Sequence, residues 1–185
     1  LCWVAIDRAI KVSELIQNGI SAQKWKPLRK EIFEDIMKNA WNEKKEAFTQ
    51  SYDSEHLDAS VLLMEPYGFL DSKNEKYIKT VKAIEKDLLK DGLMYRSKNI
   101  DDFGLPSSSF TVCSFWLIDS LFKIGEEKKA LKLFDKLLKF SNHLNLFSED
   151  IDFKSKRMLG NFPQAYSHLA LIDTALNFNL KLDSK

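Results

Sequence analysis

Residues 109–124, SFTVCSFWLIDSLFKI, are apolar nearly all round. A helix without a polar face must be covered on every side or lie in lipid. This run falls short of the ~20 apolar residues needed to span a bilayer, as does every other segment of the chain. It therefore predicts a helix at the centre of a helical body, and its neighbours must supply the cover. Gly125 breaks the run, and residues 126–140 follow as a one-sided partner with Ala130, Leu131, Leu133, Phe134, Leu137 and Leu138 at helical spacing.

The same rhythm extends through the chain. Residues 2–17 place Cys2, Ala5, Ile6, Ala9, Ile10, Val12 and Ile16 on a helical face, closed by Asn18-Gly19. A second helix opens at Ser21 or Ala22 with Trp25, Leu28, Ile32, Ile36 and Met37 inward, and Pro27 is expected in its first turn. Residues 74–89 form another, with Tyr77, Val81, Ile84, Leu88 and Leu89 inward, and a last helix runs over 162–180. Between them, residues 47–52 read as a short extended element, 57–64 as an apolar segment, and 93–108 as the longest irregular loop. About seven helices alternating between a covered and a one-sided type predict an all-α fold of inner and outer helix layers, with no regular sheet.

With 185 residues the chain is expected to form one domain. Its 28 Lys+Arg against 27 Asp+Glu give a net charge of +1, which offers no electrostatic footprint for nucleic acid or an anionic membrane. Cys2 and Cys113 sit in apolar helical contexts, read as buried thiols without a disulfide framework, and suit a reducing, cytoplasmic setting. His56, His143 and His168 lack metal-ligand spacing, so no metal and no cofactor are expected. The chain begins amphipathic, without Met or a cap residue, and reads as a piece of a longer protein.

Polar chemistry concentrates in residues 146–168, LFSEDIDFKSKRMLGNFPQAYSH, where an acidic turn of Glu149, Asp150 and Asp152 separates two helical segments. A carboxylate in a partly dry cleft can accept a proton from a water attacking a sugar carbon, or it can simply be solvated or cap a turn. Arg96 and the pair Asp101-Asp102 share the long loop, where guanidinium and carboxylate can orient sugar hydroxyls or pair with one another at the surface. Trp116 lies on the buried helix, where an aromatic is usually core, and Trp3 and Trp41 are either core or stacking platforms.

Six motifs then stand in order: CWVAIDRAI from Cys2, LDAS from Leu57, Tyr95-Arg96, CSFW from Cys113, LFSEDID from Leu146, and GNFPQAYSHLALI from Gly160. In that order and spacing the chain resembles glycoside hydrolase family 15, which comprises glucoamylases, glucodextranases and some microbial trehalases. The resemblance covers essentially the whole chain. It implies the C-terminal part of an (α/α)6 barrel, without the barrel's N-terminal helices, and an open apolar surface through which the piece could associate. It implies a saccharide ligand (a glucan, an oligosaccharide or trehalose) and inverting hydrolysis of an α-glucosidic bond.

By that resemblance Glu149 stands at the general-base position, and Arg96, Asp102 and Trp116 are the expected substrate contacts. The family's general-acid glutamate precedes the CSFW helix, and alignment on Phe110 puts Ser107 there. A serine hydroxyl is too weak an acid to protonate a departing sugar oxygen. Asp101 or Asp102 could replace it only if the loop folds back. The expectation is impaired hydrolysis, with a non-catalytic carbohydrate-binding relic as the alternative and a helical protein-binding scaffold as the third reading.

Overall fold

The computed structural model describes residues 1–16, 19–100 and 104–182. Among them are six α-helices: α1 (Cys2–Leu15), α2 (Gly19–Asn39), α3 (Glu75–Leu88), α4 (Thr111–Lys123), α5 (Glu127–Leu138) and α6 (Ala165–Leu182). A 3-10 helix spans Ala59–Met64, capped by Asp58, whose carboxylate accepts from the Ser60 N–H at 2.8 Å. The cap satisfies an N–H that the first helical turn leaves without an internal partner.

The apolar run is the centre. From Thr111 to Phe122 every residue of α4 is buried except Trp116, and α4 packs against α5, α6 and the 3-10 helix. On α3 the inward residues Tyr77, Val81, Ile84 and Leu88 are all buried. These helices join one core with Phe115, Leu117, Phe147 and Ile151.

Four of the sequence expectations are corrected. First, Ser109 and Phe110, read as the start of the central helix, are strand: β5 (Ser108–Phe110) pairs antiparallel with β6 (Asp150–Asp152), which pairs with β7 (Met158–Leu159). Asp150 and Asp152 of the acidic turn thus lie on the middle strand of a small sheet, with Glu149 just before it. Two further antiparallel pairs occur, β1 (Trp41–Asn42) with β2 (Ala47–Phe48) and β3 (Leu89–Lys90) with β4 (Leu93–Met94).

Second, α1 buries Trp3, Asp7, Ile10 and Ser13, whereas Val12, Leu15 and Ile16 are exposed. The Asp7 carboxylate is buried and accepts from Arg8, from Lys11 at 2.8 Å and from Arg29 of α2 at 2.8 Å. Burial alone would raise its pKa, but the hydrogen bonds from Lys11, Arg29 and Arg8 outweigh that and hold it lowered. Third, α2 begins at Gly19, so Pro27 lies in its interior rather than its first turn. Fourth, Cys2 is exposed, and only Cys113 is buried.

The outer surface of α6 carries Leu169, Ile172, Leu176 and Leu180, each more than half exposed. Their spacing is one helical stripe. On α1, Val12 and Leu15 are likewise exposed. No helix among the described residues is long and apolar enough to cross a membrane.

Candidate active site

The β5–β6–β7 corner positions the polar residues. Register pairs Ser108 with Asp152, Ser109 with Ile151 and Phe110 with Asp150, so Ile151 points into the core while Asp150 and Asp152 lie on the other face. One step beyond the ladder, the Thr111 N–H donates to the Glu149 carbonyl at 2.9 Å. Ser107 precedes β5 at the opposite end of the same strand pair.

Glu149 is held on three sides. Its N–H donates to the Asn161 carbonyl at 2.9 Å. In return the Asn161 backbone N–H and side-chain Nδ2 donate to the Glu149 Oε2 at 3.1 and 2.9 Å. Gly160 makes room for this, since a Cβ there would lie 2.8 Å from that Oε2. Gly160 also has φ +72, a left-handed conformation that side chains disfavour.

The approach to Glu149 is equally tied down. Phe147 donates its N–H to His168 Nε2 at 3.2 Å, while His168 Nδ1 lies 2.7 Å from the Gln164 carbonyl. Those two contacts together require the neutral imidazole with its proton on Nδ1. The Ser167 hydroxyl donates to the Ser148 carbonyl at 3.0 Å.

Asp150 accepts from the Ser108 hydroxyl, tying β5 to β6 through side chains as well as backbone. Burial raises its pKa, the Ser108 donation opposes that, and the neighbouring Glu149 charge adds to it. Asp152 lies at the exposed end, where bonds from the Ser155 hydroxyl and N–H keep its pKa low.

A cleft of about 510 Å³ opens beside this corner, lined in part by Ser60, Tyr67, Arg96, Phe110, Trp116 and Tyr166. Trp116, the one unburied residue in that stretch of α4, meets Tyr166 edge-to-face at 5.8 Å. Arg96 approaches Asp58 at 3.5 Å, with its guanidinium largely exposed, and its carbonyl accepts from the Ala59 N–H. The structure thus brings Arg96 and Trp116 into one cleft. Glu149 and Ser107 do not line it.

Ser107 is exposed and makes no side-chain hydrogen bond to a described residue. Asp101 and Asp102 lie outside the described residues. Trp3 is core, edge-on to Phe69 at 5.2 Å, and Trp41 packs on Phe48 beneath the Lys76 ammonium. The Cys113 thiol is buried and its pKa is pushed well up, which makes it unreactive. No group of three His, Cys, Asp or Glu among the described residues could hold a metal ion.

Sequence reasoning singled out neither Asn161, Gly160, Tyr166 nor Asp58. All four lie inside the LDAS and GNFPQAYSH motifs, so the signal was the motif, not the individual side chain. The family model for glycosyl hydrolases family 15 matches residues 1–176. The chain belongs to that family.

Among curated relatives, a trehalase of Mycobacterium tuberculosis is 42% identical over 181 residues, 96% of this chain and 26% of its own length. A trehalase of Thermoplasma volcanium is 36% identical over 177 residues, 95% of this chain and 28% of its own. The family 15 chain therefore spans about a quarter of the length of these relatives. A wild-type glycosidase structure superposes with a TM-score of 0.73 at 17% identity, covering 86% of this chain and 45% of that one. A glycosidase variant in complex with glucose gives 0.73 at 15%, with the same coverage. These structures share the fold, and the helical layers described above are part of an (α/α) barrel.

Proposed function

We propose that this chain supplies the base-bearing wall of an inverting α-glucosidase site, with trehalose as its substrate. The observation that carries the reading is the Glu149 carboxylate. Its Oε2 is engaged by Asn161, while Oε1 takes no hydrogen bond from any described residue. The names of the curated relatives, trehalases at 36–42% identity, favour trehalose over longer glucans.

In this reading a water oxygen bonds to the anomeric carbon from one face and gives its proton to Glu149 Oε1. The bond to the second glucose breaks on the other face, and its oxygen must gain a proton. Arg96 and Trp116 orient and stack the sugar in the cleft beside the corner that carries Glu149. Four residues along the ladder separate Ser107 from Thr111, the partner of Glu149, about 13 Å of strand.

At Ser107 the acid is missing. The departing oxygen then takes its proton from water, and loss of general-acid help costs roughly 10²–10⁴-fold in rate. That substitution also favours a second reading, a saccharide-binding relic without turnover. The test is trehalose hydrolysis by the full-length protein as wild type, S107E and S107E/E149Q, with the anomer of the first-formed glucose read by NMR. Gain in S107E, β- and α-glucose released initially in equal amounts, and loss in the double variant are expected. Binding without turnover in all three would select the relic, and turnover indifferent to E149Q would remove the base assignment.

A further inference from the structure

We propose that Asn161 is the positioning residue for Glu149, fixing Oε2 so that Oε1 alone is presented to the attacking water. The inference rests on the reading of Glu149 as the base and adds the device that aims it. The contact is reciprocal and closes a ring: Glu149 N–H to the Asn161 carbonyl, and Asn161 N–H back to Glu149 Oε2. The side-chain amide adds a second donor to the same oxygen at 2.9 Å. Two donors on one carboxylate oxygen and none from a described residue on the other break the symmetry of the group.

Rotation of the carboxylate about its last bond would sacrifice both donations, so the free oxygen keeps one direction. The floor under this arrangement is Gly160, whose missing side chain lets Oε2 settle. Asn161 also stands next to Phe162, which leads into α6 and the cleft residue Tyr166. The segment that supplies an aromatic wall for a sugar thereby also sets the direction of the base.

Asparagine suits this role because its amide donates without charge. Aspartate, nearly the same shape, would set a second carboxylate against Oε2. Asn161→Asp should therefore be worse than Asn161→Ala, an order that steric or folding damage does not produce. Loss of a bond to a charged group corresponds to roughly 10- to 100-fold in rate.

The experiment has two arms on the full-length protein. In the first, the backbone and side-chain amide signals of Asn161 are followed by NMR against pH together with the Glu149 carboxyl carbon. One common midpoint is expected, with flat Asn161 signals in E149Q, and separate titration of the amides would overturn the contact. In the second, kcat and KM for trehalose are measured in the S107E background for N161A and N161D. A loss confined to kcat, larger in N161D, supports the inference, whereas a loss carried by KM or equal in both variants overturns it. Co-titration combined with hydrolysis indifferent to E149Q would leave the contact and remove both the base and its positioning. Absence of turnover in every form, S107E included, would do the same.

Discussion

One end of the β5–β6 pair carries Glu149, whose backbone N–H, carbonyl and side chain are each bonded to a named partner. The other end enters at Ser107, which is exposed and makes no side-chain bond to a described residue. The same sheet thus has one wall built and one wall bare. The difference follows from how each residue is used by the fold. Glu149 is part of the bonding that returns the chain from β6 to the segment before α6, so changing it disturbs local structure. Position 107 precedes the ladder and contributes nothing to it.

The largest effect should come from rebuilding the bare wall. Ser107→Glu is expected to raise trehalose hydrolysis by roughly 10²–10⁴-fold, measured as glucose release, with an unchanged thermal midpoint because the site lies outside the ladder. In that variant Glu149→Gln should remove a gain of similar size, since a neutral amide cannot accept the water's proton. Equal activity with and without the amide would show that the built wall is structural only.

A smaller effect tests the floor under the base. Gly160→Ala places a methyl group 2.8 Å from Glu149 Oε2 and 3.1 Å from its Cβ on a backbone at φ +72. Strain of this type costs roughly 1–3 kcal/mol, and urea unfolding should show it in the midpoint. Gly68 has a similar φ and nothing within 4 Å of an added Cβ. Gly68→Ala is therefore the control that separates strain from contact with Glu149.

The smallest effect concerns Asp150, between the two walls. Its pKa is raised in the folded state, first by burial. The folded protein then binds that proton more tightly than the unfolded chain, so the contribution to stability is fully present below the unfolded carboxyl pKa. It is lost as pH rises through the folded value. Asp150→Asn cannot ionise and can still accept from Ser108. Relative to wild type it should gain stability between acid and neutral pH, read as the difference in urea midpoints at pH 4 and pH 7.

The helices were legible because burial imposes a period. On α3 the residues spaced for one face, Tyr77, Val81, Ile84 and Leu88, are the buried ones. On α1 the buried residues are Trp3, Asp7, Ile10 and Ser13, and hydrophobic spacing does not register a buried charge such as Asp7. Apart from β2, which falls inside the extended element read at 47–52, the strands escaped notice because segments of two or three residues are too short to show alternation. Glu149 could be singled out from its acidic surroundings and the motif. Its partner Asn161 lies twelve residues away, and only the antiparallel return of β7 brings the two together.

Asp7 has a consequence of a different kind. Its carboxylate meets Arg8 and Lys11 on its own helix and Arg29 on the next, all while buried. Turning α1 by one residue would swing the carboxylate by about 100° and strand Arg29, whereas the aliphatic side chains around it would accept many azimuths. The cluster works as a keyway, admitting α1 in a single rotational setting and so fixing which of its faces is offered outward.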